Sequence, residues 1–236
     1  LRWAPAAGAV PCPADEESLL TLLDRTFTAQ QRKHDPRFEI KCHLMKQSVP
    51  PTTLDTKKAG MHDMWLVQSS GTQDSCVLLN RREHTVLEAD NGMLRIVENK
   101  MDYHSKSTVR LEGKQFSKGD FIVRLASATQ TIPGVTGQQA FLGHILEVEY
   151  SPLSSLDASA PLMAEFVGVL QGALAAQQQA RHAQQQHQQH QQQVPLARLE
   201  IVRPSYGKYA GLASDFTPMH GAILYAEAAM SLLVAR

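Results

Sequence analysis

The segment from Ser107 to Ser155 constrains the fold most, because its apolar residues recur at every second position. Val109 and Leu111 point to one side of the chain, while Arg110 points to the other. The same alternation continues in two later runs, which contain Phe121, Val123, Leu125, Leu146, Val148 and Tyr150. A period of two is typical of antiparallel strands with one buried face. The segment therefore predicts three strands of an antiparallel sheet.

Shorter alternating runs predict further strands before this segment. These runs are Phe38 to Lys46, a hairpin of Met64 to Ser69 with Cys76 to Asn80, and a strand that ends at Asp90. No regular strand-helix-strand order appears, and this disfavours a doubly wound parallel sheet. We therefore expect an α+β protein whose strongly bent, barrel-like antiparallel sheet is flanked by helices. We also expect one domain over residues 1–236.

Apolar residues spaced three and four apart predict four helices around these strands. The first carries Leu19, Leu23 and Phe27 and ends near Lys33, and the second covers Asn91 to His104. In the third, Ser159 is the expected N-cap and Pro161 follows in the first turn; its expected core stripe is Leu162, Phe166, Val169, Leu170 and Leu174. The last runs from Pro218 to Arg236. We expect all four helices to pack on the sheet or on a partner.

The composition excludes several classes of function. Lys and Arg total 23 and so do Asp and Glu, which leaves none of the positive excess that nucleic-acid binding favours. Cys12, Cys42 and Cys76 lie far apart, so we expect reduced thiols and no disulfide framework. No apolar run is expected to reach the length of a bilayer span. These observations favour an intracellular protein that acts through its surface.

A low-complexity tract of Gln and His covers about residues 177–193. His187 and His190 stand three apart, a spacing that can place both on one helical face and hold a divalent ion. No Cys, Asp or Glu lies nearby to complete a tetrahedral set, and the tract offers no apolar surface for a core. We therefore interpret it as a solvated low-complexity segment that extends the preceding helix for a few turns.

Glu147 and Glu149 form the sharpest candidate for catalysis. Two carboxylates at positions i and i+2 of a strand share one face, as in tunnel-type triphosphate hydrolases that hold Mg²⁺ or Mn²⁺. Such a tunnel needs many inward cations, and only Lys41, Arg110 and Arg124 qualify. The alternative is a solvated strand face on which the glutamates pair with the arginines of neighbouring strands.

Other catalytic patterns receive no support from the sequence. Ser127, His144 and Asp120 are present, but no elbow motif presents a serine nucleophile. His220 is expected in the capping region of the last helix, where a general base is not required. Gly134 and Gly137 do not follow a strand as a nucleotide-binding fingerprint would. We assign no residue to a catalytic, cofactor-binding or metal site.

Four stretches of the chain resemble the family of subunit 20 of the Mediator complex, in its plant and green-algal form. They are EGKQFSKGDFIVRL followed by LEVEYSPLSS, the opening LRWAPAAG, VLEAD, and the ending DFTPMH before an Ala-rich run. The matching residues are structural, so their order and spacing carry the resemblance. In this family the position of the Gln/His tract is a loop, which identifies the tract as an insertion.

The resemblance implies a non-enzymatic subunit of the Mediator head module, located in the nucleus and without a cofactor. It implies pairing with subunit 18, a tether from the C-terminal segment of subunit 8, and contacts with other head-module subunits. RNA polymerase II would be reached indirectly, with no direct contact with nucleic acid or a membrane. The metal-dependent triphosphate hydrolase that uses Glu147 and Glu149 remains the alternative.

Overall fold

The structure is a computed structural model that describes residues 1–4, 16–17, 19–21, 23, 30–31, 38–47, 64–70, 75–134, 139–186 and 198–234. The strands are β1 (Arg2–Ala4), β2 (Gln30–Gln31), β3 (Phe38–Gln47), β4 (Met64–Ser69), β5 (Ser75–Asn80), β6 (Thr85–Asp90), β7 (Tyr103–Lys118), β8 (Phe121–Thr131), β9 (Gln139–Tyr150) and β10 (Arg198–Glu200). The helices are α1 (Met93–Lys100), α2 (Leu156–Gln186) and α3 (Pro218–Val234), with a 3-10 turn at Tyr206–Lys208. Residues 16–17, 19–21 and 23 are also helical.

The chain folds into two compact units, each assembled from three separate stretches. Unit 1 contains residues 1–36, 113–127 and 143–201, and unit 2 contains residues 37–112, 128–142 and 202–236. The long strands β7, β8 and β9 therefore contribute residues to both units. Val109, Leu111, Val123, Leu125 and Leu146 are buried as predicted. In β9 the alternation fails, because residues 142–146 are all buried and Val148 and Tyr150 are only partly buried.

In unit 1 the strands follow the order β10-β1-β9-β8-β7, and β2 pairs with β7. Helix α2 covers this part of the sheet with three residues, Phe166, Leu170 and Leu174, which join a core that includes Leu19 and Leu23. The ring of Phe166 stacks on that of Phe121 at 4.1 Å between centroids. The predicted core positions Leu19 and Leu23 are confirmed, whereas Phe27 lies outside the described residues.

The sequence predictions for α2 were wrong at two points. The helix begins at Leu156 rather than after Ser159, because the Oγ of Ser155 accepts a hydrogen bond from the amide of Ala158 at 3.4 Å. Leu162 and Val169 lie outside the core stripe and are 39% and 51% exposed. The buried core residues of α2 are the three positions four apart, Phe166, Leu170 and Leu174.

Gly113 marks a close approach of two strand backbones within unit 1. A Cβ built on this residue would overlap the carbonyl oxygen of Leu125 and lie 2.7 Å from the Cα of Ala126. Glycine inside a strand often marks a site where another backbone approaches. The sequence of β7 therefore needs a residue without a side chain at this point.

In unit 2 the strands follow the order β9-β8-β7-β3-β4-β5-β6. β3, β4, β5 and β6 pair as successive antiparallel neighbours, with Met45 opposite Met64 and Leu66 opposite Leu78. Helix α1 inserts Val97 into a cluster with Met45, Leu66 and Cys76. Helix α3 runs along β3 to β6, so the C-terminal helix packs on its own sheet.

Two predicted helix ends were also wrong. The second helix stops at Lys100, because residues from Tyr103 onward join β7, and Met101 is exposed. The first helix cannot reach Lys33, since Gln30 and Gln31 pair as a strand with Ser117 and Phe116. In both places sheet pairing overrides the local helical spacing.

The α+β class, the large antiparallel sheet and the C-terminal helix are confirmed. The barrel is not closed, because in neither unit does the strand order of the described residues return to its first strand. The single domain over residues 1–236 and the role of the Gln/His insertion stay predictions. Helix α2 does extend into the tract as far as Gln186.

Candidate functional site

Glu147 and Glu149 are both held by one arginine of the neighbouring strand in unit 1. The Nη1 of Arg124 lies 3.2 Å from Oε1 of Glu147 and 2.8 Å from Oε2 of Glu149. Its Nε donates to the amide oxygen of Gln115 on β7 at 2.7 Å. The period-two geometry of β9 places both carboxylates on the face where β8 presents Arg124. The predicted cross-strand pairing of these glutamates is confirmed for Arg124. It was wrong for Arg110, which contacts Glu39 and Glu112 instead.

This arrangement is poorly suited to a divalent cation. A magnesium or calcium ion needs several converging oxygens, and here a guanidinium occupies the space between the two carboxylates. No group of three or more His, Cys, Asp or Glu that could hold a metal occurs among the described residues. In the ion cluster of Arg124, Glu147 and Glu149 the guanidinium therefore offsets part of the carboxylate charge and links β8 to β9.

A similar ion cluster lies in unit 2 around Arg110. Its Nε contacts Oε1 of Glu39 at 2.5 Å, and its Nη2 lies 3.1 Å from Oε2 of Glu112. Lys41 contacts the same oxygen of Glu39 at 3.5 Å. The hydrolase alternative requires Lys41 and Arg110 to bind phosphate. Both cations instead contact carboxylates of β3 or β7.

Ser127 and His144, which no sequence motif links, are adjacent in unit 1. The Oγ of Ser127 lies 3.2 Å from Nδ1 of His144 and donates to Oε2 of Glu16 at 3.2 Å. The acid therefore contacts the serine, whereas a catalytic triad places the histidine between the serine and the acid. His144 is fully buried. The contact is a polar link between strand and helix, and Asp120 takes no part in it.

His220 forms an N-terminal cap for helix α3. The amide of Thr217 donates to Nδ1 of His220 at 3.1 Å, and the Thr217 hydroxyl lies 2.9 Å from the same atom. An amide can only donate, so Nδ1 must be the deprotonated nitrogen. Burial lowers the pKa of His220 and keeps the ring neutral at pH 7. The predicted capping role is confirmed, although the residue is buried.

A polar chain that sequence analysis missed crosses unit 2 beneath α1. His43 Nδ1 lies 3.1 Å from the hydroxyl of Thr108, and its Nε2 lies 3.2 Å from the amide oxygen of Gln68. The Nε2 of Gln68 then donates to Oδ1 of Asn91 at 3.3 Å. Burial lowers the pKa of His43, which favours the neutral ring that this chain requires. The alternating pattern of β3 placed His43 on the polar face but could not identify its partners.

The remaining candidates offer no reactive group. Burial raises the pKa of the Cys42 thiol to about 12, so it stays protonated and is a poor nucleophile. Cys42 and Cys76 are both free and buried, as predicted. His187, His190, Gly137 and Cys12 lie outside the described residues. Gly134 occupies an exposed turn after β8 with φ of 83°, which explains the need for glycine there.

Helix α2 exposes apolar side chains on the surface of unit 1. Residues Leu156–Gln177 are long and apolar enough to cross a membrane by length and composition, so the prediction that no run reaches this length was wrong. Alanine and glycine residues between the larger side chains make the helix apolar over this length. Core helices of soluble proteins pass the same test, and one face of α2 is indeed in the core. Its other face exposes Leu162 and Val169.

Comparison with known proteins points to one family. The family model described as the TATA-binding related factor of subunit 20 of the Mediator complex matches residues 8–212. A relative from Arabidopsis thaliana, "Mediator of RNA polymerase II transcription subunit 20b", is 27% identical over 162 residues. That match covers 69% of this chain and 64% of the relative, so the chain spans less than two thirds of the relative's length.

Proposed function

Because the chain belongs to the family of subunit 20 of the Mediator complex, we propose that it is a non-enzymatic subunit of the Mediator head module. In this role it supports regulated transcription by RNA polymerase II and is located in the nucleus. The observation that carries the proposal is the family match over residues 8–212, which includes parts of both units. We propose that the whole chain acts as one domain in this assembly.

The mechanism is assembly with other Mediator subunits. The chain pairs with subunit 18, and the C-terminal segment of subunit 8 tethers the pair. A stable interface of this kind buries surface on both partners and creates a composite surface for the transcription machinery. The exposed apolar face of α2, with Leu162 and Val169, supports a function based on protein contacts.

The charged side chains described above support a function without catalysis. Both carboxylates of the hydrolase alternative contact Arg124, and Glu39 contacts Arg110 and Lys41. A tunnel that binds triphosphate needs cations free to contact phosphate oxygens. In this chain the cations that would do so already neutralise carboxylates, and no observation favours the hydrolase.

Affinity purification tests the proposal. The tagged chain is incubated with nuclear extract, washed at high salt and analysed by mass spectrometry, and we expect head-module subunits, above all subunit 18. Co-expression with subunit 18, with and without the C-terminal segment of subunit 8, tests the pairing directly. Recovery of a monomer without Mediator subunits would overturn the proposal.

A hydrolysis assay addresses the alternative. The purified chain and its Glu147→Gln variant are incubated with a nucleoside triphosphate and Mn²⁺, and phosphate release is measured. We expect both to match the rate without protein. Turnover by the unmodified chain that is lost in the variant would instead support the hydrolase.

A further inference from the structure

Strand β6 forms the outer edge of the sheet in unit 2. It pairs with β5 on one side, and no strand among the described residues pairs with it on the other. Alternate backbone N–H and C=O groups of Thr85–Asp90 therefore point away from the sheet. A row of such groups is a template for a further extended chain.

Natural edge strands usually carry features that prevent this kind of pairing. Inward-pointing charges, lysines, prolines and bulges are the common ones. The sequence of β6 is TVLEAD, which contains neither Lys nor Pro. Its register with β5 runs without a bulge through six successive pairs, from Asn80 opposite Thr85 to Ser75 opposite Asp90. The edge of β6 is thus regular, and its charged side chains are Glu88 and Asp90.

Side-chain hydrogen bonds fix β6 at both ends. Before the strand, Oδ1 of Asn80 accepts from the amides of Arg82 and Glu83 at 3.1 and 3.0 Å and holds the β5–β6 turn. After the strand, Oδ1 of Asp90 accepts from the amide of Gly92 at 2.7 Å. An edge that is already ordered loses little conformational entropy when a partner strand binds.

The side chains of β6 indicate the chemistry of the partner. Leu87 is 58% exposed and lies opposite Leu78, on the face that packs against α1. Glu88 points to the other face and is exposed. The strand Thr85–Asp90 carries Glu88 and Asp90 and no Lys or Arg, so the strand itself is acidic, and Arg81, Arg82 and Arg95 lie beyond its two ends.

We propose that β6 binds an extended, basic segment of a partner protein as an additional antiparallel or parallel strand. The partner places an apolar side chain beside Leu87 and a Lys or Arg beside Glu88, because directly adjacent residues on neighbouring strands share a face. A second copy of this chain would bring another acidic strand, so charge favours a basic partner. The proposal does not depend on the Mediator assignment.

Designed peptides provide the test, with the full chain as the receptor. The first is a labelled ten-residue peptide of alternating Val and Lys, the second has Glu in place of Lys, and the third repeats the first with alternate backbone amides N-methylated. Affinity is measured by fluorescence anisotropy, and binding is located by amide hydrogen exchange. We expect the first peptide to protect amides of β6 and to bind at least tenfold more tightly than the other two.

Substitutions on the protein complete the test. Leu87→Lys and Glu88→Lys should each weaken binding of the Val/Lys peptide at least tenfold, because each adds a like charge at the edge. Leu153→Lys and Glu165→Lys make the same changes at exposed positions of unit 1 and should bind as the unmodified chain does. Circular dichroism establishes that each variant is folded.

Three results would overturn the proposal. One is equal affinity for the N-methylated peptide, which would mean that charge alone causes binding. Another is that the Val/Lys peptide protects amides outside β6 on the unmodified chain. This measurement uses no variant, so misfolding of a variant cannot affect it. The third is a dimer in sedimentation that Leu87→Lys abolishes, which would make a second copy the occupant.

Discussion

The close approach at Gly113 predicts that a single methyl group destabilises unit 1. In Gly113→Ala the new Cβ overlaps the carbonyl oxygen of Leu125 and lies 2.7 Å from the Cα of Ala126. Both atoms belong to the backbone of β8, so no side-chain rotation relieves the overlap and the strands must move apart. Overpacking of this kind costs about 1–3 kcal/mol, and because the backbone must shift we expect about 3 kcal/mol.

Gly168→Ala is the matched control for this prediction. No atom lies within 4 Å of a Cβ built on Gly168, which sits on the exposed face of α2 in the same unit. Replacing glycine by alanine inside a helix stabilises it by about 0.5–1 kcal/mol. The same chemical change should therefore have opposite signs at the two positions.

Urea and thermal unfolding measure both variants. For a chain of this length about 1 kcal/mol shifts the midpoint temperature by about 2–4 °C, so Gly113→Ala should unfold about 6–12 °C lower than the unmodified chain. Gly168→Ala should unfold slightly higher. If Gly113→Ala matched the unmodified chain, or if Gly168→Ala lost as much stability, the strand contact could not be as described.

Three further predictions concern charged and polar contacts. Arg124→Met should reduce stability by about 1–3 kcal/mol, because two partly buried carboxylates lose their hydrogen-bonded partner; Arg110→Met, at a more exposed guanidinium, should cost less than about 1 kcal/mol. Because the pKa of His220 is lowered from 6.5, its cap is intact above that pH and is lost on acidification, so stability falls from pH 7 to pH 5 and His220→Gln flattens this dependence. Arg81 and Glu227, joined by bonds of 3.2 and 3.3 Å, should show a coupling of about 0.5–1 kcal/mol in a double-mutant cycle.

Chemical denaturation tests all three, and each has an outcome that contradicts it. Equal losses in Arg124→Met and Arg110→Met would show that burial of the ion cluster in unit 1 has no effect. An unchanged pH profile in His220→Gln would mean that another group causes the acid sensitivity. Additive losses at Arg81 and Glu227 would show that the pair is not coupled.

The fold could be predicted where burial on one face alone decides the conformation. Val109, Leu111 and Ile40 alternate with polar residues, and all three are buried in strands. The apolar pattern was insufficient where more than one local conformation satisfied it. Ser155 and Ser159 are both acceptable N-caps. In the structure the hydroxyl of Ser155 accepts from the amide of Ala158, whereas the hydroxyl of Ser159 donates to carbonyl oxygens of the preceding turn. Gln30 has no strand pattern, and it joins the sheet because β7 offers it an edge.

The polar contacts could likewise be predicted only in part. A salt bridge between Arg124 and the glutamates of the next strand follows from a cross-strand rule, and the sequence predicted it. The contact of Ser127 with His144 depends on the register between β8 and β9, which the turn signal Pro133-Gly134 does not specify. Exposure of Leu162 and Val169 depends on how α2 rotates against the sheet, which helical spacing leaves open over a wide arc.

The division of the chain into two units has a consequence for its dissection. Five boundaries, at residues 36/37, 112/113, 127/128, 142/143 and 201/202, separate stretches of different units, so the polypeptide passes between them five times. The shortest continuous fragment with all of unit 1 is 1–201, and with all of unit 2 it is 37–236. Neither unit can be expressed, exchanged or deleted as one continuous segment of the chain. We therefore expect a truncation at either end to compromise the sheet as a whole, and any genetic separation of functions to come from point substitutions.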